Sequence, residues 1–278
     1  MLPSTNGFAL VAPASKGLGF AFAQQLLSHT RLPVIATARR NCEGVRDRLL
    51  EAVKDDSGSM KERLRVLRVD VTDEAMIHAM TSYIRREYPE AALRIAITVP
   101  GILHVEKSPQ QIDAASALDS FRVNALGPML LMKHLAPFLP TKSSKPFPVN
   151  SQSQGGESHV WNLPSHAIYA MMAARVGSIS DNATGGWYSY RASKASVFQL
   201  AKTFDLYLRT RSNERALAVA MHPGTVQTDF TKDYWDGRKM LHPFDSANRL
   251  LQFLFAMSPA NSDGRGRCWD WKGEEVLP

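Results

Sequence analysis

The chain has 278 residues and a mass of 30.8 kDa, enough for one large α/β domain. Its 44% hydrophobic and 21% charged residues are typical of a globular protein, and no apolar stretch approaches the roughly 20 residues that span a bilayer. The net charge of +7 comes from scattered Lys and Arg rather than one basic tract, which favours a phosphorylated small ligand over nucleic acid or a membrane surface.

Short apolar runs alternate with longer segments of helical periodicity along the chain. We predict strands at 7–12, 33–38, 64–70, 93–99, 165–174, 216–221 and 266–271. We predict helices at 18–28, 73–87, 114–139, 188–209 and 244–257, the third bent near Gly127-Pro128. This alternation predicts an α/β fold with a doubly wound parallel sheet of about seven strands, covered by helices on both faces. Its ligands should bind at the carboxyl ends of the strands.

Two segments interrupt this rhythm, 55–62 and the Pro/Ser/Gln-rich 140–164. Both lie between a helix and the next strand, so we expect solvated insertions on the face opposite the site. We predict a single domain over 1–278, with a cofactor half over about 1–140 and a substrate half over about 165–278.

A glycine-rich turn over 12–19, Ala-Pro-Ala-Ser-Lys-Gly-Leu-Gly, joins the first strand to the first helix. Gly17 and Gly19 would let the backbone approach a pyrophosphate, and the helix starting at Leu18 supplies amides and a positive dipole end, with Ser15 beside them. Pro13 stands where the first glycine of such a loop is expected. The alternative is an ordinary tight turn.

Basic residues follow the first two strands. Lys16, Arg39 and Arg40 stand where an NAD site usually carries an acidic residue, and they suit a 2′-phosphate, which predicts NADP(H). Asp70 could accept a hydrogen bond from the adenine amino group, cap the following turn, or do both.

Tyr190 and Lys194 are spaced by one turn of a predicted helix and so share a face. A free phenol titrates near pH ~10, and a neighbouring cation lowers that pKa toward neutrality. The pair therefore indicates a tyrosine acid/base.

These residues resemble the short-chain dehydrogenase/reductase family over nearly the whole chain. The motifs occur in the family's order, at Gly17-Leu18-Gly19, Asp70, Asn124, Tyr190, Lys194 and the segment 222–229, His-Pro-Gly-Thr-Val-Gln-Thr-Asp. Segments 174–182 and 269–273 are similar to the C-factor and carbonyl-reductase-like branch. The resemblance implies a single Rossmann-like domain.

The resemblance also implies hydride transfer between NADP(H) and a carbonyl or alcohol, with Tyr190 as acid/base. Lys194 would tune the tyrosine and hold the nicotinamide ribose, and Asn124 would position a water that links Lys194 to solvent. The remaining implied cofactor contacts are Gly101, Pro223, Gly224, Val226 and Thr228. Segment 225–241 would form a lid whose Tyr234 and Trp235 either shape an apolar pocket or pack on the domain.

Three departures from the family pattern stand out. Ala12-Pro13 replaces Thr-Gly at the start of the loop, and segment 98–101, Thr-Val-Pro-Gly, replaces Asn-Asn-Ala-Gly. Ala174 stands where the branch carries its catalytic serine, after a second alanine at Ala173. Ser178, which we expect to end the same strand, is the candidate substitute, and Ser180 is a poorer one.

The leading hypothesis is thus an NADP(H)-dependent oxidoreductase, and the alternative is a weak or inactive dinucleotide-binding regulator of the same fold. Nucleic-acid binding is a distant third. We expect a small-molecule substrate, no membrane or nucleic-acid partner, and a homodimer or homotetramer through the faces at 129–132 and 200–208, which ordinary core packing explains equally well. The histidines show no metal-ligand spacing, so no metal is expected. Two cysteines, Cys42 and Cys268, and a start without signal features lead us to expect a cytoplasmic location.

Overall fold

Seven parallel strands form the centre of the computed structural model, which describes residues 7–54, 58–149, 160–232, 240–260 and 264–278. The strand order is β3-β2-β1-β4-β5-β6-β7. The strands are β1 (Phe8–Ala12), β2 (Val34–Ala38), β3 (Leu64–Arg68), β4 (Leu93–Thr98), β5 (Ala167–Met172), β6 (Ala216–His222) and β7 (Cys268–Asp270). Strand order reverses between β1 and β4, so a crevice opens beyond their carboxyl ends. The predicted Rossmann-like fold is confirmed.

Helices cover both faces of the sheet. They are α1 (Gly17–His29), α2 (Cys42–Val53), α3 (Ser59–Arg63), α4 (Glu74–Glu87), α5 (Ala114–Phe121), α6 (Gly127–Leu135), α7 (Tyr188–Arg211) and α8 (Pro243–Ala256). Alternate residues of β1 enter two apolar cores, one shared with α4, α6 and α7 and one with α1, α2 and α8. In the part of the chain described, no helix is both long and apolar enough to cross a membrane. α2 lies where no element was predicted.

The helix predicted over 114–139 is interrupted. A π turn over Arg122–Leu126 separates α5 from α6, and the amide of Gly127 donates to Arg122 O. Pro128 has no N–H, so the α-helical bond to the carbonyl of Asn124 cannot form. The predicted disturbance near Gly127-Pro128 is therefore present, and it places Asn124 inside the π turn.

The fifth strand is shorter than predicted, and the expectation that Ser178 ends it is wrong. β5 stops at Met172, and a 3₁₀ turn over Arg175–Gly177 follows Ala174. Ser178 comes after that turn. Asp70 likewise lies two residues beyond the end of β3 rather than at its end.

The second interrupting segment is less solvated than expected where it is described, whereas the first has no buried residue in α3. Residues 59–63 form α3, and residues 55–57 and 150–159 lie outside the described residues. Phe147 and Leu163 are buried, and the buried Arg94 donates to the carbonyls of Pro148, Leu163 and Pro164. Arg94 lies in β4 near its amino end, so these parts pack at the sheet edge opposite the crevice, as predicted.

Candidate active site

Tyr190 and Lys194 lie in the first two turns of α7, and both residues are buried. Tyr190 retains 9% exposure and Lys194 3%. The ring centroids of Tyr190 and Phe230 are 5.9 Å apart. Phe230 follows β6, so an aromatic side chain of the predicted lid contacts the tyrosine. Tyr234 and Trp235 lie outside the described residues.

The ammonium of Lys194 is held by the end of β5 and by the loop after β4. Its Nζ donates to Met172 O over 2.9 Å and to Pro100 O over 3.3 Å. Burial lowers the pKa of Lys194 to about 8. The group is therefore still mainly cationic at neutral pH, and one of its three N–H donors remains for a further acceptor.

Asn124 joins the π turn to the loop after β4 and to α7. Its Oδ1 accepts from Ile102 N over 2.8 Å, and its Nδ2 donates to Ile102 O over 2.9 Å and to Ser193 Oγ over 3.0 Å. Ser193 Oγ in turn donates to Tyr190 O. The structure thus brings Asn124, Tyr190 and Lys194 into one cluster. Ser193 was missed, although its place between the tyrosine and the lysine on one helix face was a usable signal.

Gly101 leaves a space beside this cluster. A Cβ at Gly101 would lie 3.5 Å from Lys194 Nζ and 3.9 Å from Asn124 Oδ1, and would meet nothing closer. The absent side chain therefore opens room next to the ammonium, where a ribose hydroxyl could accept the remaining N–H. These residues fit a nicotinamide ribose.

The predicted phosphate-binding turn over 12–19 (the phosphate loop) packs tightly on itself, and only glycine fits at one position. A Cβ at Gly19 would lie 1.9 Å from Pro13 O. Gly17 has φ +58°, and its Cβ would lie 3.4 Å from the methyl of Thr228. The predicted phosphate-binding turn therefore faces the loop after β6. α1 begins at Gly17, one residue earlier than predicted. The residue before it, Lys16, has no side-chain oxygen that could accept from the first amides of the helix.

Arg48 braces the phosphate loop from α2. Its Nη2 donates to Ser15 O over 2.9 Å, and its guanidinium lies 5.5 Å from the ring centroid of Phe20. Lys16 forms an exposed ion pair with Asp229, at 3.2 Å. Arg48 was missed because the helix that carries it was not predicted.

An open cleft of about 710 Å³ lies beyond β2 and β3, with four arginines in its lining. These are Arg39, Arg40, Arg68 and Arg122. Arg39 Nη1 lies 3.9 Å from Asp70 Oδ2. Arg68 and Arg122 were missed; the parallel register that pairs Arg68 with Ala38, next to Arg39, could have indicated the first of them.

Asp70 is held ionised inside this arginine-lined cleft. Partial burial alone would raise the pKa of Asp70, but hydrogen bonds from the amide and hydroxyl of Thr72 and the charges of Arg39 and Arg122 outweigh it and lower the pKa. Asp70 does cap the following turn, one of the roles predicted for it, and its second carboxylate oxygen faces Arg39.

The predicted cofactor residues after β6 form a turn next to the phosphate loop. Pro223 O accepts from Ser246 Oγ. Gly224 has φ +79°, and a Cβ there would lie 2.6 Å from the Trp271 ring. The chain therefore turns closely against the residue that follows β7. Val226 is buried, and Thr228 faces Gly17.

Ser178 is nearly fully buried beside α7. Its Oγ accepts from Asp181 N over 3.0 Å, which leaves the hydroxyl proton to donate elsewhere. A Cβ at the preceding Gly177 would lie 2.6 Å from the carbonyl carbon of Lys194, so this turn packs on the backbone of the lysine. Ser180 is exposed, and its Oγ donates to Pro278 O.

The fold, the glycine loop and the Tyr190–Lys194 pair agree with one family. A model of the short chain dehydrogenase family matches residues 7–170, more than half of the chain. The chain belongs to the short-chain dehydrogenase family. Its chemistry is therefore that of a family of oxidoreductases that use nicotinamide dinucleotides.

Individual relatives agree with this assignment. The 1-hydroxy-2-glutathionyl-2-methyl-3-butene dehydrogenase of Rhodococcus sp. (strain AD45) is 25% identical over 200 residues, 70% of this chain and 73% of that protein. The C-signal protein of Myxococcus xanthus is 30% identical over 166 residues, 59% of this chain and 80% of that protein. An NADPH-bound carbonyl reductase from chicken fatty liver has the same fold, with a TM-score of 0.76 at 24% identity over 98% of each chain. The predicted family is confirmed, and the C-signal relative agrees with the C-factor part of the predicted branch.

Proposed function

We propose that this short-chain dehydrogenase is an NADP(H)-dependent reductase or dehydrogenase of a carbonyl or alcohol substrate. The observation that carries the proposal is the buried Tyr190–Lys194 pair beside the space at Gly101, at the carboxyl ends of β4 and β5. The nicotinamide would supply or accept the hydride when bound. The chain's own residues would donate or accept the proton.

Tyr190 is the proposed acid and base. It protonates the substrate oxygen on reduction and removes that proton on oxidation. The Lys194 ammonium, fixed by Met172 O and Pro100 O, favours the phenolate and makes this exchange accessible near neutral pH. The side-chain donors of Asn124 already bind Ile102 and Ser193, so any water it positions would sit on its oxygens.

The cleft supports NADP(H) rather than NAD(H). Arg39, Arg40, Arg68 and Arg122 surround a site where a 2′-phosphate needs cations, and guanidinium groups bind phosphate with paired hydrogen bonds. The chicken carbonyl reductase with the same fold is described as NADPH-bound. Asp70, kept ionised there, is the proposed acceptor for the adenine amino group.

Self-association is the proposed assembly. Large apolar side chains are exposed along α5, the π turn, α6 and α7: Leu118, Phe121, Leu126, Met129, Leu206 and Tyr207. A homodimer or homotetramer would cover such a face. We also propose a single domain throughout the chain and, from the two free cysteines, a cytoplasmic location.

The test is NADPH oxidation against a panel of aldehydes, ketones and quinones. Turnover that is lost in Tyr190→Phe, with NADPH binding retained, supports the proposal. The alternative, a regulator that binds the dinucleotide without turnover, is favoured by Ala174, which lacks the hydroxyl of the family serine. NADPH binding by the wild-type protein without turnover of any panel member would support that alternative.

A further inference from the structure

The helix that carries Tyr190 begins without a cap of its own. Trp187, the residue before α7, adopts φ 47° and has no side-chain oxygen with which to accept from the first amides. The first turn of a helix leaves four amides without helical partners. Another part of the chain must therefore satisfy them.

Glu106, in the loop after β4, supplies that cap. Its Oε2 accepts from Ser189 N over 2.7 Å, and its main-chain oxygen accepts from Trp187 N over 2.6 Å. Its relative exposure is 2%. A carboxylate at a helix N-terminus also interacts favourably with the helix dipole.

The loop that carries Glu106 is itself fixed on both sides. The amides of Lys107 and Ser108 both donate to Gln111 Oε1. On the other side, a Cβ at Gly186 would lie 3.4 Å from Glu106 O, so the chain entering α7 rests on this residue. The carboxylate is thus held at one position relative to the helix.

Ser189 is the direct neighbour of Tyr190, and Lys194 lies one turn further along the same helix. We propose that Glu106 is a positioning residue, whose carboxylate fixes the first turn of α7 and thereby the phenol of Tyr190. This inference rests on the proposed reductase function. Glu106 would act through α7, from a loop distant in sequence, rather than on the substrate.

Two substitutions of Glu106 can distinguish this hydrogen-bonding role from simple packing. Glu106 Oε1 is buried and has no hydrogen-bond partner among the residues described. An amide in its place keeps one accepting oxygen, whereas a thioether keeps the volume and loses the acceptor. Glu106→Gln and Glu106→Met therefore separate hydrogen bonding from space filling.

The experiment measures kcat, the KM for NADPH, NADPH binding and the melting temperature for both variants. We expect Glu106→Met to lower kcat by about 100-fold with NADPH binding unchanged, because a displacement of about 1 Å in a catalytic group can cost that much. Glu106→Gln should retain kcat within about threefold, since its amide oxygen can accept from Ser189 N. Glu106→Asp keeps the charge on a shorter side chain, and we expect it to behave like Glu106→Met; it decides the matter should Glu106→Met not fold.

Asp113 provides the matched control. Its carboxylate caps α5 by accepting from Ser116 N over 2.8 Å, on a helix without a proposed acid or base. Asp113→Ala should lower the melting temperature and leave kcat unchanged. The positioning role is overturned when a folded Glu106→Met or Glu106→Asp variant keeps the wild-type kcat, or when Glu106→Gln loses as much. Absence of turnover in the wild-type protein would instead contradict the proposed function itself.

Discussion

The side-chain amide of Asn124 pairs with both backbone polar groups of Ile102, which lies 22 residues earlier in the chain. The pair ties the π turn to the loop after β4. That loop also contains Pro100, whose oxygen holds Lys194. The amide therefore supports the site structurally, whatever it contributes to proton transfer.

Replacing Asn124 should destabilise the fold. Asn124→Ala removes bonds to Ile102 N, Ile102 O and Ser193 Oγ at a fully buried position, and leaves both backbone groups of Ile102 without this partner. We expect the free energy of unfolding to fall by about 2–4 kcal/mol, measured by urea denaturation. Asn248→Ala, which removes an exposed hydrogen bond from Gln252 Nε2 on α8, is the control and should change the free energy of unfolding little. An Asn124 variant as stable as the wild type would contradict this role.

The burial of Lys194 predicts a pH dependence of stability. Its pKa falls to about 8 in the folded chain from 10.5, so between these values the unfolded chain keeps a proton that the folded chain has lost. Stability contributed by this group therefore rises with pH in that window. We expect the free energy of unfolding of the wild type, relative to Lys194→Met, to rise by about 2 kcal/mol from pH 7 to 9.5.

Lys202 supplies the control for this measurement. It lies on the same helix but is exposed, and Lys202→Met should show no such difference between the two pH values. A flat difference for Lys194→Met would mean that the ammonium is not buried as described. Chemical denaturation at each pH gives both comparisons.

The arginine-lined cleft predicts the choice of cofactor. Alanine variants of Arg39, Arg68 and Arg122 should each weaken NADPH binding by about tenfold, roughly 1.4 kcal/mol, because each removes a cation from the proposed 2′-phosphate site. NADH binding should change little. Arg46→Ala, at a half-buried arginine of α2 that does not line the cleft, should leave both affinities unchanged. Equal losses for NADPH and NADH would contradict a 2′-phosphate site.

Two glycines should respond differently to the same substitution. Gly101→Ala adds a methyl with no neighbour within 3.5 Å, so the apo protein should keep its stability while NADPH affinity falls by at least about tenfold. Gly19→Ala drives a Cβ into Pro13 O and should destabilise the apo protein as well. Melting curves and NADPH titration separate the two effects, and unchanged affinity in Gly101→Ala would exclude a cofactor at that space.

Local patterns were sufficient for the fold and for the proposed acid/base pair. Apolar runs identified all seven strands of the described sheet, and helical spacing put Tyr190 and Lys194 on one face, because both depend on neighbours in sequence. The break at Asn124 was expected near Pro128, since a proline's missing N–H is a local property.

Contacts between segments that are distant in sequence could not be predicted from local patterns. Arg68 and Arg122 meet at one cleft only because the sheet brings their segments together, and Glu106 reaches Ser189 across 83 residues. The end of β5 was misplaced because the alanines at 173 and 174 continue an apolar run that does not distinguish a strand from the turn after it. Ser178 was consequently expected on the strand rather than after a 3₁₀ turn.

Ser178 remains the proposed substitute for the hydroxyl missing at Ala174. Its buried hydroxyl accepts from Asp181 N and has a proton to donate, and its turn packs on the backbone of Lys194. We expect Ser178→Ala to lower kcat by about 100-fold or more, the usual cost of one oxyanion donor, with NADPH binding unchanged. Ser180→Ala, which removes an exposed hydroxyl bonded to Pro278 O, should leave kcat as it is.

Adding a serine hydroxyl at position 174 tests the same site with the same panel of substrates. Ala174→Ser restores a hydroxyl at the position that resembles the family's catalytic serine, and in a Ser178→Ala background it should recover at least about tenfold of the lost kcat if both hydroxyls can reach the substrate oxygen. Steady-state kinetics on the best carbonyl of the panel gives kcat for Ser178→Ala, Ser180→Ala, Ala174→Ser and the double variant. Normal kcat in Ser178→Ala would show that the Ser178 hydroxyl does not stabilise the developing alkoxide, and would overturn its role as the substitute for the hydroxyl missing at Ala174.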